Sequence, residues 1–205
     1  MLKKVKTSYF LRIIFSFMNE KQKLKIIKYN KYLQENMNIS LINYKIFSTK
    51  FIIYEQNGKG KEYNYYGELL YEGEYLNGER NGKGKEYLFG ELIFEGEYLN
   101  GKRNGKGKEY WGGKLDFEGE YLNHKRNGKG KEYYDGKLVF EGEYLNDEKN
   151  GKGKEFYDNG NLEFEGEYVN GERNGNGKEY NYDGKLEFEY LNGNRIRKMK
   201  RILKW

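Results

Sequence analysis

Three features of this 205-residue chain invite a chemical reading: glutamates two positions apart, a recurring Gly-Lys-Gly-Lys, and a dense population of tyrosines. Paired carboxylates such as Glu95 and Glu97 resemble acid–base catalysts. That chemistry needs burial to push one pKa above the other, and a pair repeated along a solvent-facing strand has none. Gly-Lys-Gly-Lys suggests a phosphate cradle, yet it lacks the Lys-Ser/Thr ending and the strand-to-helix setting of one. Its recurrence throughout the chain marks it as a turn. With no Cys and only His124, disulfides, thiolate zinc sites, a cysteine nucleophile and a histidine metal cluster are excluded. The residues therefore predict no catalytic group, cofactor or metal, and no small-molecule substrate.

Charge narrows the partners further. Residues 1–50 carry eleven Lys/Arg against Glu20 and Glu35, a net +9, and residues 194–205 carry six basic residues and no acid. The stretch between them holds 21 basic and 30 acidic residues, a net −9. Tyrosines can stack on nucleic-acid bases, but an acidic body repels phosphate, so nucleic acid is not an expected partner. The 28 Gly, 22 Tyr and 12 Phe, with no Pro, place the apolar content in rings spaced by glycines. Disordered chains are poor in rings, so this composition argues for order.

The elements that position these residues repeat. Asn-Gly-Lys-Gly-Lys-Glu-Tyr begins at Asn57, Asn81, Asn104 and Asn127 and returns slightly altered at Asn150 and Asn174, in steps of 23 or 24 residues. Between the copies runs a second phrase, Tyr/Phe-Glu-Gly-Glu-Tyr, starting at Tyr71, Phe94, Phe117, Phe140 and Phe164, with a damaged copy at Phe188. Leu92, Phe94, Gly96 and Tyr98 alternate with Ile93, Glu95 and Glu97, which is strand periodicity. Asn-Gly pairs between the runs are hairpin-turn chemistry. Each period therefore reads as a β-hairpin, and a single hairpin is marginal in water until it stacks on its neighbours.

That register sets Glu97 opposite Lys106, Glu95 opposite Lys108 and Gly96 opposite Gly107, leaving a groove where rings can lie flat. It also leaves Glu109 on the ring face and Tyr110 on the solvent face, a misfit that a bulge near Gly107 is expected to correct.

Tyr-Glu-Gly-Glu-Tyr-x-Asn-Gly-x-Arg-Asn-Gly-x-Gly, from Tyr71 to Gly84, resembles the MORN repeat, and four further copies match almost in full. The stretch GKGKEYYDGKLVFEGEY resembles variant MORN repeats. The resemblance covers about residues 54–193, with departures at Asp147-Glu148, at Asn176 and in the last copy. It implies a mainly β, elongated antiparallel meander of consecutive hairpins, working as a non-catalytic scaffold for protein–protein interaction. The partner is a protein or a second copy of the chain, and the setting is cytoplasmic, peripheral to a membrane or cytoskeleton. The expected protein-binding face is the ring row Tyr71, Tyr75, Phe94, Tyr98, Phe117, Tyr121, Phe140, Tyr144, Phe164 and Tyr168.

The chain divides into a basic helical segment over 1–50, the array over 51–193 and a basic amphipathic tail over 194–205. Tyr9 to Gln34 faintly resembles an F-box through Ile14, Phe15, Phe17 and Leu24, without that motif's Leu-Pro opening. The resemblance implies a ubiquitin-ligase adaptor; a helical cap on the sheet end is the plainer reading. The apolar run near the N-terminus is broken by Arg12 and too short to span a membrane, so it reads as retained. In the tail, Ile196, Met199, Ile202 and Leu203 share one face of a short helix. Arg195, Arg197, Lys198, Lys200, Arg201 and Trp205 are candidates for an anionic membrane surface. The alternative is again a cap on the last hairpin.

Overall fold

A computed structural model describes residues 50–197. Of the segment expected to be helical over 1–50, only Lys50 is among them, and it opens a strand. The F-box-like residues and the tail beyond Arg197 (Lys198, Lys200, Arg201, Trp205) lie outside the described residues. Fourteen strands follow one another in a single antiparallel sheet whose spatial order is the chain order. They are β1 Lys50–Tyr54, β2 Lys59–Asn64, β3 Leu69–Leu76, β4 Glu79–Leu88, β5 Glu91–Leu99, β6 Lys102–Trp111 and β7 Lys114–Leu122. Then come β8 Lys125–Tyr134, β9 Lys137–Leu145, β10 Glu148–Phe156, β11 Leu162–Val169, β12 Glu172–Tyr180, β13 Leu186–Leu191 and β14 Asn194–Arg197. At the usual spacing the sheet is roughly 60 Å from first strand to last.

The expected short C-terminal helix does not begin where the sequence placed it. Asn194–Arg197 is strand β14, paired with β13 through Phe188↔Arg197 and Leu191↔Asn194. The Asn192-Gly193 turn, with both residues at positive φ, returns the chain onto the open edge of β13, and that edge captures it.

Register follows the sequence reading in part. Gly96 faces Gly107 and Glu95 faces Lys108. The pairing then slips between Gly96 and Tyr98, so Glu97 does not oppose Lys106 across that hairpin. Its carboxylate instead accepts the Lys106 backbone N–H at 3.1 Å, and Lys106 opposes Glu120 on β7. The slip is a bulge at Asn104-Gly105, where a φ of +91° favours glycine and the Glu97 carboxylate lies close over its Cα. This bulge does not rephase Glu109, which remains opposite Phe94 and Phe117 on the ring side. Tyr110 stays on the other face, donating to Glu95 at 2.6 Å. The misfit that called for a correction is itself functional in the packing.

Among the described residues no second sheet or helix lies over this sheet, so its apolar face is buried by other means. The rings lie flat on paired glycines: a Cβ on Gly107 would sit 2.4 Å from the tip of Phe94. They also meet edge to face in an unbroken chain. Phe94 contacts Tyr98 at 5.7 Å within its hairpin and Tyr121 at 5.2 Å in the next; Phe117 contacts Tyr121 at 5.7 Å and Tyr144 at 5.3 Å. Above the first ring of each copy sits a cation. Arg103 is 4.1 Å from the Phe94 centroid, Arg126 4.1 Å from Phe117, and Lys149 4.1 Å from Phe140. Glu86, Glu109, Glu132 and Glu155 alternate with these cations and complete the roof.

Candidate binding surfaces

The roof is an ion-pair ladder running across the strands. Glu86 accepts from Arg80 at 2.7 Å and Arg103 at 2.5 Å, while Glu109 accepts from Arg103 at 2.9 Å and Arg126 at 2.5 Å. Glu132 joins Arg126 at 3.1 Å to Lys149 at 3.7 Å, and Glu155 joins Lys149 at 3.3 Å to Arg173. Lys149 stands where the other copies have Arg. Without the guanidinium fork it bridges its two carboxylates at longer range than Arg103 does.

Burial alone would raise the Glu86 carboxyl, but the Arg103 hydrogen bond and the charges of Arg103 and Arg80 outweigh it and hold its pKa below the usual carboxylate range. Glu155, likewise opposed by burial, is held down by Arg173 and Lys149. A carboxylate depressed in the folded state stabilises the fold above its unfolded pKa. That contribution is lost as pH falls through the folded value. The melting temperature is therefore expected to decline as pH drops below about 4.5. Glu86→Gln should lower it at neutral pH and flatten the acid slope, as read by calorimetry across that range.

The ten rings expected to face a partner are the core itself, with exposures from 0% for Phe94, Phe117, Phe140 and Phe164 to 9% for Tyr75. They cannot present a surface because the glycines beneath and the ladder above already cover them. In the damaged last copy, Tyr190 stands opposite Gly177, where intact copies carry a second glycine, and its ring packs on Phe164 at 5.3 Å. It closes the ring row. Of the two described candidates for lipid contact, Arg195 is paired with Glu179 at 2.5 Å and stacked 3.6 Å from the Phe188 centroid. Arg197 is the last residue of β14, opposite Phe188 in the ladder.

The opposite face curves into an open groove of 1630 Å³ crossing β2 to β13. Glycines such as Gly96 and Gly107 form its floor, flanked by eleven lysines and twelve glutamates. These nearly cancel, so the groove suits a partner carrying both signs of charge. The pairs across it are loose, as for Lys85–Glu95 at 3.8 Å and Lys108–Glu118 at 3.7 Å, and such exposed pairs contribute little to stability. Tyr87, Tyr110, Tyr133 and Tyr180 stand along one side, their hydroxyls bound to Glu72, Glu95, Glu118 and Glu165. At Tyr110, burial and the bond to Glu95 push the phenol pKa up to about 12.

Two rows of exposed apolar side chains, one on each long edge, went unread in the sequence. One edge carries Tyr66, Phe89, Trp111 and Tyr134, at or just after the ends of even-numbered strands; the other carries Leu76, Leu99, Leu122, Leu145, Val169 and Leu191. The available signal was the aliphatic residue preceding Asn in each Asn-containing turn.

Among the described residues no group of three or more His, Cys, Asp or Glu could hold a metal ion, and no helix is long and apolar enough to cross a membrane. The MORN repeat family matches residues 71–88, 94–113, 117–137, 140–162 and 164–185. No curated protein matches. Among solved structures the chain is similar to a crystal structure of TarM, at 10% identity and a TM-score of 0.26, covering 83% of this chain and 26% of that one. It is also similar to a mutant of S. aureus TarM in complex with fondaparinux, alpha-GlcNAc-glycerol and UDP, at 9% identity and a TM-score of 0.27, covering 83% of this chain and 27% of that one. The chain thus spans about a quarter of the length of these structures.

Proposed function

The chain belongs to the MORN repeat family, and from that premise we propose that it is a non-catalytic scaffold holding an elongated protein segment in its groove. The observation that carries this reading is the groove's continuity: the same lysines, glutamates and glycines recur from β2 to β13 without a partition. It is roughly 50 Å long, the span of about 35 helical or about 16 extended residues. A partner with alternating charge and small apolar side chains fits lanes of both signs over a glycine floor. The proposed setting is cytoplasmic and peripheral, beside a membrane or cytoskeletal assembly. The test reverses two groove charges together, Lys106→Glu and Lys129→Glu. Partners that co-purify with the native chain are identified by mass spectrometry and their affinities compared. Binding is expected to weaken at least ten-fold, since like-charge contacts cost several kcal/mol. A partner that binds the double variant undiminished removes the groove reading.

A further inference from the structure

The six turns along one edge form a surface of their own. They span 76–79, 99–102, 122–125, 145–148, 169–172 and 191–194, and each begins with an aliphatic residue, 46% to 57% exposed. At two strands per repeat these side chains recur roughly every 10 Å. The edge is also rigid. Gly101 donates its backbone N–H to the Arg80 carbonyl at 2.8 Å, His124 to Arg103 at 2.9 Å, Asp147 to Arg126 at 3.0 Å and Gly171 to Lys149 at 2.9 Å, tying each turn to the one before. Where His124 and Asp147 replace glycine at positive φ, their side chains accept the N–H of Arg103 at 3.4 Å and Arg126 at 2.7 Å. A preformed apolar row loses little freedom on docking.

The charges beside that row differ from turn to turn, although the hairpins hardly do. In order they are Glu79, Lys102, Lys125, Asp147 with Glu148, Glu172 and the neutral Asn194, all exposed. Lys125, Glu148 and Glu172 make no ion pair among the described residues. The sequence minus, plus, plus, minus, minus, neutral is complementary to its own reverse. Laid antiparallel with all six turns overlapping, Lys102 of one copy meets Glu172 of the other, and Lys125 meets Asp147 and Glu148. The symmetry repeats both matches. A shift by one turn keeps only one of the two kinds of match and adds a clash. One shift leaves Lys102 against Asp147 and Glu148 but sets Lys125 against its own counterpart and Glu79 against Glu172; the other leaves Lys125 against Glu172 but sets Asp147 and Glu148 against themselves and Lys102 against the neutral Asn194. A parallel arrangement puts like on like throughout.

We propose that this turn edge is a self-complementary interface. Through it a second copy of the chain docks antiparallel about a two-fold axis passing between the Asn123 and Asn146 turns. The interface is isologous and closes at two copies. The aliphatic rows meet along the axis, the charges fix the register, and both grooves stay open. A strip roughly 50 Å by 10 Å on each copy buries on the order of 1,000 Å² in total, near the lower bound for a specific interface.

The experiment is sedimentation velocity on the full chain at roughly 10–100 μM, the range such an interface calls for. The native chain is expected to be dimeric at low salt and to dissociate as salt rises. Lys102→Glu with Lys125→Glu should weaken the dimer at least ten-fold, as should Glu148→Lys with Glu172→Lys; mixing the two variants should restore a dimer. Because the chain has no Cys, a Lys125→Cys chain mixed with a Glu148→Cys chain should form a disulfide-linked pair, far more than either alone. A chain that stays monomeric over that range overturns the proposal. So does a dimer indifferent to both charge reversals.

Discussion

Gly96→Ala is expected to destabilise the fold by about 3 kcal/mol or more, at the upper end of overpacking costs. A Cβ there would lie 2.7 Å from the Cα of Gly107, from the carbonyl oxygen of Lys106 and from the tip of the Phe94 ring. Two of those three atoms are backbone of the paired strand, so relief requires β5 and β6 to separate and break their ladder. The cost is one of space, because Gly96 is not among the positive-φ residues. Gly90→Ala is the matched control. Gly90 has a φ of +83°, and a Cβ added there would meet nothing within 4 Å. Its replacement should cost about 1–2 kcal/mol of backbone strain alone. Urea denaturation of the two variants separates the contributions.

Phe117→Ala is expected to cost about 3–5 kcal/mol, the range for a fully buried aromatic. Phe117 is 0% exposed, and removing it breaks the ring chain at its contacts with Tyr121 and Tyr144. It also leaves Arg126 without the ring it covers. A repeat array is a sum of units and nearest-neighbour interfaces, so this mid-array loss should uncouple the two halves as well as weaken the whole. Calorimetry should show a melting temperature lower by on the order of 10 °C and a broadened transition. The same change at Phe188, where the copy is damaged, should cost less. That ring is only half-buried under Arg195.

The hairpins, the ring-on-glycine contact and the Gly96–Gly107 register were legible because each depends on residues close in sequence with a strong local preference. Asn-Gly dictates a tight turn, and strand alternation then fixes which residues share a face. The ladder was not legible. Glu109 looked misplaced because its partners Arg103 and Arg126 lie 6 and 17 positions away and converge only after two strand reversals. The same long-range convergence turned the supposed binding rings into a core, since nothing local announces that an Arg will roof a Phe one strand over. The tail misled differently. Ile196 and Met199 do fit a helix, but Asn192-Gly193 and an unpaired strand edge outweigh that spacing up to Arg197. The groove and the turn edge arise from curvature and stacking of many copies, which no single repeat encodes.

The ladder gives this thin sheet a stability argument that surface pairs lack. Each cation is held between two carboxylates and over a ring, so fixing it once serves several contacts. Partners from Arg80 to Lys149 are only 13% to 26% exposed, which limits screening.

Native-state amide hydrogen exchange along the whole array tests most directly whether rings on glycines, roofed by ion pairs, join the hairpins into one continuous sheet. High and nearly uniform protection is expected from β3 to β12, falling toward β1 and β14. Protection that collapses between consecutive hairpins, or is confined to one short block, would contradict it.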